Sequence, residues 1–297
     1  MRLFWPALLV LTTSCGVAEE GTQPVVTGRF GSKPIVSIPQ GKPGRTPRIT
    51  VLSVGSGRRT VPGDVVLADV DIRRWSGNRP YLSTHDGNQP TTVVFDGRQV
   101  TETWRQSLIG RPAGSRVMLV SPAGEAVGPN VPLTGVSPAD TLVLVFDILG
   151  GYPPDARLVG RTLPVVPADL TPDAPPRTLI DGSGPEVVAG SRVVVQYVAA
   201  SWPSRTVVDS SYRRGGPSAF TLEAGSVPAA WAGALAGRRV GSRVAVPSPG
   251  PRPMLYVIDI LDTITRVRRP GGTSRCPACP QPRPARITPR SRAAGRS

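Results

Sequence analysis

The side chains of this sequence that could do chemistry are few. There is one histidine, His85, and three cysteines, Cys15, Cys276 and Cys279. Cys276 and Cys279 have the spacing of a metal-binding pair, but no second pair completes a site and His85 is far away in sequence. A serine hydrolase would have to use His85, beside Asp86 and Gly87, and no nucleophile-elbow motif accompanies it. His85 therefore reads as an exposed loop residue. Gly55-Ser56-Gly57 is too short to cradle a phosphate and reads as a turn. Neither a metal nor a cofactor is expected. Aromatic residues make up only 5% of the chain, so each one is informative.

Several of these aromatics fall inside an internal repeat. Gly55-Ser56-Gly57-x-x-x-Val61-x-Gly63 returns as Gly182-Ser183-Gly184-x-x-x-Val188-x-Gly190, an offset of 127. Val100-x-x-x-Trp104 returns at the same offset as Val227-x-x-x-Trp231, and Gly110-Arg111-x-x-Gly114-Ser115-Arg116-Val117 as Gly237-Arg238-x-x-Gly241-Ser242-Arg243-Val244. The offset then falls to 112, where Asp147-Ile148-Leu149 returns as Asp259-Ile260-Leu261. The second copy is thus 15 residues shorter before its last strand.

The elements that must position these residues read as antiparallel sheet with one short helix per copy. Val193–Val198 and Leu255–Ile260 are rich in β-branched and aromatic residues, and Val65–Ile72 and Leu142–Leu149 are their counterparts in the first copy. A helix is expected over Thr101–Leu108, with Thr101 able to cap and Glu102 favourable in the first turn. Trp104 and Leu108 lie four apart on one face, as do Trp231 and Leu235. A helix with one apolar face must pack on the sheet, which gives an α+β domain, twice.

These residues resemble the FKBP family of prolyl isomerases. The family pattern is Gly-Asp-x-Val leading to a strand Tyr, then Phe-Asp-Ser-Ser, then Val-Ile-x-Gly-Trp opening a helix, and a last strand with an aromatic. The second copy follows it as Gly190-Ser191-x-Val193 to Tyr197, Val208-Asp209-Ser210-Ser211, Val227-Pro228-Ala229-Ala230-Trp231, Leu235-Ala236-Gly237-x-x-x-Gly241, and Tyr256. Val208 stands where the family has a pocket phenylalanine, Ser218 where it has another, and the 15 missing residues correspond to its flap. The first copy keeps a flap-like stretch from Ser121 to Pro138, with Val100 and Trp104, but has Val70, Leu82 and Leu144 at the tyrosine, aspartate and last-strand aromatic positions. The resemblance implies two tandem FKBP-like domains, each a curled antiparallel sheet on one short helix.

It also implies rotation about X-Pro bonds. The barrier is about 18–20 kcal/mol because the amide is resonance-stabilised. The planar amide is more charge-separated than the twisted one, so an apolar pocket favours the twist without acid, base or metal. Each ~1.4 kcal/mol of differential binding is tenfold in rate. By resemblance the catalytic set is Tyr197, Asp209 and Trp231, with Val208, Val227, Pro228 and Tyr256 binding substrate; Trp231 forms the floor and Tyr197 and Asp209 the polar edge.

At the N-terminus, Arg2 precedes a short apolar run, Leu3–Leu11, and small residues lead to Cys15, the pattern of a signal peptide ending in a lipobox-like site. Thr12 stands where a lipobox usually has Leu. Lipidation of Cys15 would place the protein on the outer face of the cytoplasmic membrane; a plain secretory signal would release it. The formal net charge of +15 suggests nucleic acid at first sight, but residues 266–297 hold nine Arg and no acidic residue, and only Lys33 and Lys42 are lysines. That pattern fits the codon bias of a GC-rich genome and a solvated tail; no specific nucleic-acid partner is expected. The expected order is a signal peptide at 1–15, a flexible tether at 16–48, domains at 49–150 and 177–264 around a linker at 151–176, and a disordered tail at 265–297. The expected partners are proline-containing exported polypeptides, isomerised or, as the alternative, only bound in a chaperone-like way.

Overall fold

The structure, a computed structural model, describes residues 23–87, 89–95, 100–127, 134–223 and 225–264. Cys15, Cys276, Cys279 and the tail lie outside them.

The chain begins with a small hairpin, β1 (Val25–Thr27) on β2 (Ile35–Ser37). The first half then runs β3 (Arg48–Ser53), β4 (Val65–Arg74), β5 (Arg79–Ser83), β6 (Thr91–Val93), α1 (Glu102–Leu108), β7 (Arg116–Pro122), α2 (Ala123–Ala126) and β8 (Thr141–Tyr152). The second half runs β9 (Arg177–Ile180), β10 (Arg192–Ser201), β11 (Val207–Ser210), β12 (Ser218–Thr221), α3 (Ala229–Leu235), β13 (Arg243–Ser248) and β14 (Met254–Ile264). The two antiparallel sheets have one topology. The first is ordered β3-β7-β8-β4-β5 with β6 beside β4, and the second β9-β13-β14-β10-β11 with β12 beside β10.

The sequence repeat is therefore a structural repeat. Asp71 pairs with Ser83 as Val198 pairs with Ser210, and Leu119 with Leu144 as Val246 with Tyr256. Each short helix lays its apolar face on the concave side of its sheet: Leu108 and Leu235 are fully buried there, with Trp104 and Trp231 beside them. In the first half a limb containing α2 follows β7 before β8 begins, whereas residues 249–253 alone join β13 to β14.

Four expectations need correction. Thr101 precedes α1, but its hydroxyl pairs with Thr103 and caps nothing. His85 is half-buried, in the turn that follows β5. The Gly-Ser-Gly motifs mark a close backbone crossing more than a turn. A Cβ on Gly55 would sit 2.1 Å from the Ala113 carbonyl oxygen, and one on Gly182 2.3 Å from that of Val240. The Gly55 and Gly182 amides donate to the Ser115 and Ser242 hydroxyls, each at 3.0 Å.

The fourth concerns the stretches read as tether and linker. From Gln23 onward the expected tether is packed on the first sheet. Arg116 and Asp147 form a buried ion pair at 2.6 Å, and the rest of the guanidinium donates to the carbonyls of Gly28, Arg29 and Ser32 at 2.8–2.9 Å. The equivalent pair Arg243–Asp259 donates to the Thr162 carbonyl at 2.7 Å, and Arg205 holds those of Pro167 and Leu170. A guanidinium has five donors and a carboxylate takes only some of them, so the remainder gathers otherwise irregular backbone.

Candidate functional site

The centre of the second half is Trp231. It sits in α3, 3% exposed, and three aromatic rings meet it edge-on: Tyr197 from β10 at 5.3 Å, Phe220 from β12 at 5.5 Å and Tyr256 from β14 at 5.4 Å, with interplanar angles of 72°, 86° and 80°. Edge-to-face contacts aim the positive ring edge at the neighbour's negative face, and each contributes about 0.5–1.5 kcal/mol beyond area burial. Val227, at the entrance to α3, is buried in the same cluster. The indole Nε1 is buried without a hydrogen-bond partner among the described residues.

The polar edge is a chain of three groups. The Tyr197 hydroxyl donates to Asp209 Oδ2 at 2.8 Å, and Arg214 donates to both Asp209 oxygens at 2.8 Å. Burial pushes the Tyr197 phenol above its ordinary range, and the Asp209 carboxylate beside it pushes the same way. For Asp209, burial works to raise the carboxyl, but the Arg214 guanidinium and the Tyr197 hydroxyl outweigh it and hold it below the ordinary value. Asp209 is thus charged and Tyr197 protonated at neutral pH. The arrangement is an aromatic cluster with a phenol and a carboxylate fixed at its edge, apolar ring surface beside a polar rim.

The structure brings Tyr197, Asp209, Trp231, Val227 and Tyr256 together. Pro228, at the start of α3, is exposed beside Val227. Val208 does not join them: it is 54% exposed and outside the cluster. Its place is a bulge, where Ala199 faces Asp209 and Ala200 faces Val207, leaving Val208 as the extra residue turned outward. Phe220 is the residue that sequence reasoning missed. Its signal was there, two places beyond Ser218 and therefore on the same strand face, in a chain with only five phenylalanines.

The first half builds the counterpart differently. Trp104 donates its indole N–H to the Ala126 carbonyl at 2.5 Å, and the Thr103 hydroxyl donates to that of Glu125 at 2.7 Å. Ala126, Val127 and Val136 are buried in the same cluster, so the limb after β7 covers the helix. Val70 and the exposed Leu82 provide no polar edge. An aromatic is present after all, since Phe146, two residues along the strand from Leu144, meets Trp104 at 4.8 Å.

With this geometry in hand, comparison with known proteins is specific. Residues 184–252 match the family of FKBP-type peptidyl-prolyl cis-trans isomerases, a match wholly within the second half. An FK506-binding protein of Streptomyces anulatus is 36% identical over 77 residues, which cover 26% of this chain and 59% of that protein. The peptidyl-prolyl cis-trans isomerase FPR2 of Saccharomyces cerevisiae is 41% identical over 58 residues, covering 20% and 43%. The chain thus spans about half the length of the curated relatives it matches. Among solved structures, the three FKBP domains of wheat FKBP73 align at a TM-score of 0.32 and 14% identity over 73% of this chain and 94% of that one. FkpA of Escherichia coli aligns at 0.31 and 25% over 36% and 48%.

Proposed function

We propose that the second half is a peptidyl-prolyl cis-trans isomerase acting on X-Pro bonds of exported polypeptides, and that the first half has lost a working site. The observation that carries this reading is Trp231, ringed by Tyr197, Phe220 and Tyr256 and edged by the Tyr197–Asp209–Arg214 chain. The family match over residues 184–252 and the likeness to the two curated relatives support it.

In this reading the proline ring lies on the Trp231 face. The apolar walls favour the twisted amide over the more charge-separated planar one, and each ~1.4 kcal/mol of that preference is tenfold in rate. On binding, the Tyr197 hydroxyl turns its single proton from Asp209 to a carbonyl next to the rotating bond, while Arg214 keeps the carboxylate paired. No proton is transferred. The site works outside the cytoplasm, on a protein held at the membrane through lipidated Cys15.

Isomerisation of a proline tetrapeptide by the full chain tests the activity, with turnover above the uncatalysed rate as the expected result. One observation favours a second reading, binding without turnover: residues 249–253 alone join β13 to β14, so the second half lacks the limb that follows β7 in the first. Saturable peptide binding with no acceleration would select it.

A further inference from the structure

We infer that the first half braces the site of the second, with Gln196, Ser211 and Gly216 as positioning residues that hold Tyr197 and Asp209 in register. The inference rests on the reading of those two side chains as the polar edge of the proposed site. It starts from the alternation of β10. Tyr197 faces Trp231, so its neighbour Gln196 faces the other way, toward the first half, where it is fully buried. Its Nε2 donates to the Pro154 carbonyl at 3.0 Å, just beyond β8. Its Oε1 accepts from the Ser211 hydroxyl, and the Ser211 Oγ in turn accepts the Tyr197 backbone N–H at 2.8 Å. A buried hydrogen-bond relay therefore runs from Pro154 to the backbone of Tyr197.

Ser211 also opens the 3-10 turn Ser211–Arg214, whose last residue grips Asp209. The turn closes through Gly215 and Gly216, and the Gly216 amide donates to the Ser211 carbonyl at 3.0 Å. Gly216 lies against the first half. A Cβ there would stand 2.8 Å from Val65 Cγ2 and 3.1 Å from Pro154 Cα, and one on Gly215 3.5 Å from Val94 Cγ2. The turn that aims Arg214 is thus seated on Val65, Val94 and Pro154. Around it the halves are joined by a buried Arg192–Asp69 pair at 2.7 Å, by the Tyr152 hydroxyl on Asp262 at 2.8 Å, and by Val65, Leu67 and Leu149 packed with Val194 and Ala219. An interface that only glued two domains would need the last group alone. This one sends a hydrogen-bond relay to Tyr197 and seats the turn whose Arg214 holds Asp209.

The test uses the full chain. Gly216→Ala wedges the turn away from Val65 and Pro154 without touching Tyr197, Asp209 or Trp231. Gly250→Ala is its strain control: Gly250 has φ 139° against 141° at Gly216, and a Cβ there meets no heavy atom within 4 Å. Gln196→Leu breaks the relay by a second route should Gly216→Ala fold poorly. Amide hydrogen exchange is followed at Tyr197 and residues 207–216, with kcat and KM on a proline tetrapeptide. We expect Gly216→Ala and Gln196→Leu to speed exchange there at least tenfold and to lower kcat about fivefold or more with a smaller change in KM, because Trp231 keeps its ring contacts. Gly250→Ala should leave exchange in those residues unchanged. Unaltered exchange in both variants overturns the brace, whatever the activity. Faster exchange with unaltered kcat overturns the positioning role. A parent chain with no turnover would instead contradict the isomerase reading, and the brace would then stand or fall on exchange alone.

Discussion

Trp231 and Trp104 occupy equivalent places, yet only Trp104 has its indole N–H satisfied, by the carbonyl of Ala126. The limb of the first half supplies that carbonyl, and the second half leaves a buried donor on a tryptophan packed against three aromatic rings. The repeat made both tryptophans legible in the sequence, and the strand positions of Tyr197 and Tyr256 followed from the pattern. Phe220 lies two places beyond the motif position that Ser218 fills, and Val208 sits in a bulge, which alternation does not reveal. Two predictions belong to this scale. Replacing Tyr197 by Val, the residue at the equivalent position of the first half, should lower kcat/KM about tenfold, read on a proline peptide; an unaltered rate would remove the phenol from the mechanism. Activity should also be nearly flat between about pH 5 and 9. The Asp209 carboxyl is held below its ordinary range, so its pairing persists at neutral pH and is lost only as pH falls through that lowered value. Tyr197, pushed upward, keeps its proton past pH 10. A rate that rises or falls across pH 6–7 would point to a histidine-like group and contradict this chemistry.

At the scale of elements, the most repeated block carried a meaning that spacing alone did not reveal. Gly-Ser-Arg-Val places Arg116 and Arg243 in buried pairs with the equally repeated Asp147 and Asp259, and their spare donors fasten the preceding chain. Composition favoured a flexible reading for 16–48 and 151–176, because Gly, Pro and Ser say nothing about which carbonyls a distant guanidinium will collect. Arg116→Met should cost about 3–5 kcal/mol, since it strands the Asp147 carboxylate in the core. It should also free residues 28–32, which limited proteolysis would report as a new cleavage site. A variant that stays protected there would show that the hairpin is held by its own apolar contacts with Trp75 and Val120. The 15-residue difference between the copies was legible as a missing limb. Its effect, one indole N–H paired with a carbonyl and one left without a partner among the described residues, needed the coordinates of Ala126.

For the molecule as a whole, α+β architecture and two copies could be read from period, repeat and offset, whereas the strand order and the contact between the copies could not. Repeats report what the halves share, and Arg192–Asp69 and Gln196–Pro154 are contacts the halves do not share. A chain cut within residues 160–165 and separated should therefore lose stability in both pieces. Each would expose half of the Val65–Leu149–Val194 cluster, and the buried Arg192–Asp69 ion pair would be divided between them. Thermal melts of the separate pieces at or above that of the intact chain would contradict this. The central claim, that activity lives in the second half, is thus best tested in the full chain by comparing Trp231→Leu with Trp104→Leu in a proline-peptide isomerisation assay. The account predicts that Trp231→Leu lowers kcat/KM at least tenfold in a protein that still folds, while Trp104→Leu lowers stability and leaves kcat/KM within about twofold. Loss of turnover on Trp104→Leu with Trp231→Leu active would contradict it.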